Sequence, residues 1–97
     1  MHKTEESVKK AKELMEAGKI AEAIHHLDEV LCGASDIPQA DELYYMRGNA
    51  YRKQGNWQMA LNSYLEAIAL NPESPAVHAR AMIMDILEFY NKDMYNQ

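Results

Sequence analysis

Ninety-seven residues make one small domain with a thin stability margin. A net charge of −5 argues against a general nucleic-acid binder and against an anionic membrane surface, since each partner needs a basic face. The single cysteine, Cys32, permits no intramolecular disulfide and points to a reducing, cytoplasmic setting; "MHKTEESVKK" has no apolar leader, and no apolar run is long enough to span a membrane.

The chain reads as five helices and no strand. Helix one is expected from about Thr4 to Ala17, with Thr4 as N-cap, Glu5 and Glu6 at the positive helix start and Gly18 as the stop. Val8, Ala11, Leu14 and Met15 recur at helical spacing. Helix two covers about Ile20 to Cys32, with Ile20, Ala23, Ile24, Leu27, Val30 and Leu31 on one face. "GASDIPQ" is a loop in which Ser35 or Asp36 can cap helix three, and Pro38 suits its first turn. Helix three runs to about Gln54 and closes at Gly55; helix four starts after Asn56 and ends near Asn71, before Pro72. Helix five opens at Ser74–Pro75 and continues to about Tyr90, leaving a frayed tail. Short loops place consecutive helices antiparallel.

The two hairpins repeat. A shift of 37 residues brings Ala11 onto Gly48, Gly18 onto Gly55, Ile20 onto Trp57, Ala23 onto Ala60 and Leu27 onto Tyr64. Gly48 is costly inside a helix, and its place is explained if bulky Tyr64 packs against the bare backbone there. Gly55 suits a left-handed helix end. The second hairpin carries Tyr44, Arg47, Gly48, Tyr51, Ala60, Tyr64, Ala67 and Pro72, and at this spacing it resembles the tetratricopeptide repeat. Arg47 stands where that family has leucine, and tyrosines replace its tryptophan and phenylalanine. The first hairpin keeps Gly18 and Ala23, has Leu27 in the aromatic slot and lacks the closing proline.

The resemblance implies an all-α fold of antiparallel hairpins stacked as a short right-handed α-solenoid. Its expected divisions are repeat one at 4–37, repeat two at 41–74, a capping or half-repeat helix at 75–91 and a tail at 92–97. It also implies a non-catalytic module that binds a peptide of a partner protein on a concave face lined by first helices. Helical stepping puts Lys9 and Lys12 of helix one, Glu42, Tyr45, Met46, Asn49, Arg52 and Lys53 of helix three, and Arg80 and Ile83 of helix five on that face. The face is mostly basic, so an acidic segment is the expected ligand. Some family members clamp a terminal carboxylate with lysines and asparagines; Asn49 and Arg80 stand at such slots, but Tyr45 occupies the lysine slot.

The residues themselves carry no enzyme signature: no phosphate loop, nucleophile elbow or zinc spacing. No cofactor and no metal site are expected. Glu22, His25 and Glu29 share a helix stripe and read as a solvated polar face, and His25 and His26 point about 100° apart. Cys32 reads as a small packing residue. On helix five, Ala79, Met82, Ile83, Ile86, Leu87, Phe89 and Tyr90 fill an arc of roughly 160°. An arc that wide offers a second expectation, a homodimer sealed by Met82, Ile83, Ile86, Phe89 and Tyr90, against the simpler one in which helix five lies wholly on helix four.

Overall fold

The computed structural model describes residues 2–32 and 37–95, with side chains described over 4–32 and 37–89. Five helices follow in order: α1 His2–Glu16, α2 Ile20–Cys32, α3 Ala40–Lys53, α4 Trp57–Leu70 and α5 Ala76–Tyr95. No strand occurs among the described residues. The proposed caps Ser35 and Asp36, the Tyr90 side chain and the last two residues lie outside them.

Three helix ends differ from expectation. α1 begins at His2, so Thr4 is a buried residue within the helix rather than its cap. Pro38 lies in the turn before α3, and Gln39 caps that helix in the left-handed conformation, with φ 63°. α5 continues to Tyr95, past its expected end. Asn56 does cap α4, its Oδ1 accepting the Met59 amide at 3.3 Å, and the Ser74 hydroxyl oxygen accepts the Ala76 amide at 3.1 Å to start α5.

Each helix packs on its neighbours in the chain. α3 and α4 share the most extensive contact, α2 bridges α1 and α3, α5 lies on α4, and α1 also touches α3. This sequential packing is that of a short α-solenoid, and it stretches the molecule to 52 × 29 × 19 Å. The apolar interior falls into two clusters. Val8, Ala11, Leu27, Leu43 and Met46 join α1, α2 and α3; Ala60, Tyr64, Ala67, Ala76 and Ile83 join α4 and α5, with Tyr44, Tyr45 and Tyr51 of α3 packed against them. α3 thus feeds both clusters.

Gly48 does what its spacing implies. A Cβ built on it would lie 2.5 Å from Tyr64 Cε1 and 2.6 Å from Cδ1, so the ring occupies the space of the missing side chain. Gly55 has φ 77° with open space around it; its role is backbone conformation alone.

Arg47 takes the leucine slot for a different purpose. Its Nε donates to Asp28 Oδ1 at 2.7 Å and its Nη1 to Ser63 Oγ at 3.2 Å, while its guanidinium lies 5.2 Å from the Tyr51 ring centroid. One side chain therefore ties α2, α3 and α4 together.

α5 does not repeat the register of α3 at the 34-residue family spacing. The residues of α3 that face inward are Leu43 and Ala50; those of α5 are Ala76 and Ile83, and all four are fully buried. Both pairs are 33 residues apart. A connection one residue shorter turns α5 by about 100° relative to the expected wheel. Ile83 accordingly points into the α4 contact, whereas Met82 and Phe89, at 51% and 62% exposure, face outward. Val77 and Met84 are exposed on the other flank. α5 thus lies on α4 by one narrow stripe and leaves apolar surface on both sides.

Candidate functional site

Asn49 and Arg52 are three residues apart on α3 and so share one stripe of that helix. A hollow opens on either side of this stripe. The first, of about 370 Å³, lies between α1 and α3 and is lined by Lys12, Met15, Glu16, Glu42, Tyr45, Met46 and Asn49. The second, of about 380 Å³, lies between α3 and α5 and is lined by Arg52, Lys53, Trp57, Met82, Ile83 and Ile86.

Tyr64 supports the Asn49 end of this stripe from α4. Fully buried on α4, it donates its hydroxyl hydrogen to Asn49 Oδ1 at 2.6 Å, and its ring centre lies 6.0 Å from that of Tyr45. Burial pushes the Tyr64 hydroxyl above its ordinary pKa of 10.0; the Arg52 guanidinium beside it opposes that shift, and Tyr45 adds to it. Arg52 is half-buried, and its Nε is out of water's reach with no hydrogen-bond partner among the described residues.

The residues singled out on the sequence fall into three groups. Lys12, Tyr45 and Asn49 line the first hollow; Arg52 and Lys53 line the second. Lys12 Nζ sits 4.0 Å from Glu42 Oε1, so its charge is partly answered within the protein. Lys9 and Arg80 are exposed but line neither hollow. Arg80 is two residues before Met82 and hence turned about 160° from it. Ile83, expected both on the peptide-contacting face and in the self-association seam, is fully buried and forms the floor of the second hollow. Met82, Ile86 and Phe89 of that seam do reach the surface, Ile86 in part.

The sequence alone gave no sign of Trp57, Met82 and Ile86 as one wall, because the family spacing turns α5 the wrong way. The helix-two stripe is polar and solvated as expected: His25 Nε2 and Glu29 Oε1 are 2.6 Å apart and both exposed, and no group of three metal-ligating side chains occurs among the described residues. His26, by contrast, is structural, its Nε2 lying 3.0 Å from the Ser7 carbonyl oxygen across the α1–α2 contact. Cys32 is free and exposed rather than packed. No helix is long and apolar enough among the described residues to cross a membrane.

Comparison with known proteins agrees with the helical fold. Residues 42–74 match the tetratricopeptide repeat family. No curated protein matches the chain. The solution NMR structure of Bacteroides fragilis protein BF1650 is similar to it, with 57% sequence identity over 93% of this chain and 89% of that one and a TM-score of 0.78. The chain belongs to the same family as BF1650, and it carries a tetratricopeptide repeat at residues 42–74 on α3 and α4.

Proposed function

We propose that this is a non-catalytic interaction module that takes an extended peptide of a partner protein along the α1–α3–α5 side. The two hollows, one lined by Asn49 and the other by Arg52 of the same α3 stripe, are the observation that carries the proposal. Together they make a path lined by apolar surface with a few placed polar groups, the usual character of a recognition site. On this reading α1 and α2 act as a divergent first repeat over 4–37, residues 41–74 as the second, and α5, within the expected 75–91 unit, as a closing half-repeat; the expected tail at 92–97 overlaps the end of α5. Lys12, Tyr45, Asn49, Arg52 and Lys53 are the contacting residues, with Lys9 and Arg80 supplying longer-range positive potential. The ligand is acidic, and an exposed free Cys32 suits a reducing, cytoplasmic setting.

The test is selection of binders from a random peptide library, followed by titration of a recovered peptide. Binding should weaken about tenfold or more when Lys12→Ser and Tyr45→Ser are combined, and should be unmoved by Glu66→Gln on α4. An unaffected affinity in the double variant, or a library that yields no binder, would contradict the proposal.

A second reading has its own observation. Met82, Phe89, Val77 and Met84 leave α5 with exposed apolar surface on both flanks, which a second copy would cover. Sedimentation velocity should then give a dimer at high concentration that Met82→Glu dissociates. A monomer under those conditions would end this reading while leaving the first intact.

A further inference from the structure

We infer that the hollow between α3 and α5 is a subsite for one side-chain carboxylate, an Asp or Glu of the ligand, adjacent to a bulky apolar residue. This inference rests on the peptide-binding reading above and narrows it to a ligand chemistry and a direction.

Charge divides the two hollows. The first mixes Lys12 with Glu16 and Glu42, and Lys12 already faces Glu42. It has little preference for an anion. The second has Arg52 and Lys53 as its charged lining and no carboxylate among the described residues. An extended peptide lying across both therefore meets unanswered positive charge at only one end, and its acidic side chain is directed there.

Arg52 is held ready for that role. Tyr64 is fixed by its own burial and by the hydrogen bond to Asn49, and the guanidinium lies beside its hydroxyl. Ordering a long side chain is part of the cost of binding, and here much of that order exists before the ligand arrives. The Nε hydrogen is out of water's reach and has no acceptor among the described residues. A buried donor left unmet carries a desolvation penalty, and Arg52, which lines the hollow, is a strong charge-assisted donor to a carboxylate. Partial burial strengthens the attraction relative to a fully exposed arginine.

The rest of the hollow is apolar. Trp57, Ile86 and Met82 surround the charged pair, and Met82 is half exposed with nothing polar on its own side chain to justify that position. A bulky apolar side chain next to the ligand's acid covers this surface while its neighbour pairs with Arg52. An isolated anion leaves the surface uncovered, so the acid and the apolar residue are recognised together.

Trp57 is the chain's single tryptophan and lines the hollow, so its fluorescence reports occupancy directly. The probes are short peptides blocked at both ends, so that no terminal carboxylate is present: one containing Glu-Phe, one with Gln-Phe and one with Glu-Gly in a Gly/Ser background. Glu-Phe should give a saturable change in Trp57 emission, and either replacement should weaken it by about tenfold or more. Arg52→Gln should erase the difference between the Glu-Phe and Gln-Phe peptides, and Lys53→Gln should reduce it. Equal binding of Glu-Phe and Gln-Phe to the unaltered protein overturns the inference, as does an unchanged Trp57 emission with Glu-Phe; neither result depends on how a variant folds. If those peptides fail while a library peptide still depends on Lys12 and Tyr45, the subsite alone is wrong. If the library peptide is itself indifferent to Lys12 and Tyr45, the wider reading falls.

Discussion

The Tyr64 ring stands where Gly48 has no side chain, and both halves of this contact are buried. Replacing a helical glycine with alanine ordinarily gains up to about 1 kcal/mol. Here the added methyl meets ring atoms of a fixed neighbour, and overpacking costs about 1–3 kcal/mol. Gly48→Ala is therefore expected to lower the urea midpoint, with a net loss of about 1–2 kcal/mol, and Tyr64→Leu in the same chain should recover part of it; a stabilised Gly48→Ala would contradict the contact. Tyr64 also sets an alkaline limit. Its folded pKa lies above 10.0, so as pH rises the unfolded chain loses this proton first and stability falls. The contribution is intact below about pH 10 and is lost above it. In pH-dependent urea unfolding, Tyr64→Phe should be the less stable at neutral pH for want of the Asn49 hydrogen bond, and the gap should narrow above about pH 10; a gap that widens there would contradict the assignment. Gly48 and Tyr64 were legible from spacing alone because the repeat brings them together. The Arg47 bridge was not, since its partners Asp28 and Ser63 lie 19 and 16 residues away with no pattern linking them.

At the scale of elements, helix count and hairpin order follow from capping and apolar spacing, and the helix starts or stops marked by Gly18, Gly55, Asn56 and Ser74 fall as expected. The orientation of α5 does not follow. Periodicity fixes which residues share a face, but a single residue more or less in the Asn71–Pro75 connection rotates the whole helix, and its wide apolar arc accepts either setting. The 33-residue relation of Leu43 and Ala50 to Ala76 and Ile83 makes the setting measurable. Ile83→Ala should cost about 2–4 kcal/mol as a core truncation. Met82→Ser, one residue earlier, should change stability by no more than about 0.5 kcal/mol. Chemical denaturation of the two variants decides the matter, and the reverse order of effects would restore the 34-residue register and with it Ile83 as a surface residue.

Over the whole molecule, the described helices stack in chain order, each on its neighbours, and such an array presents an extended surface to another chain. The stacked all-helical architecture was legible in the sequence, and of the residues expected at the site, Lys12, Tyr45, Asn49, Arg52 and Lys53 line the two hollows. Arg80 is exposed and lines neither hollow. Binding at the cationic end should weaken as salt rises, because Arg52 and Lys53 lie near the surface. The most direct test of the peptide-binding account is a map of backbone amide NMR shifts during titration with a library-selected peptide. The account predicts that the perturbed amides form one band through Lys12, Tyr45, Asn49, Arg52 and the Met82–Ile86 turn, with the Trp57 indole N–H moving alongside. Shifts confined to α2 and the outer face of α4, around Leu65 and Leu70, would contradict it.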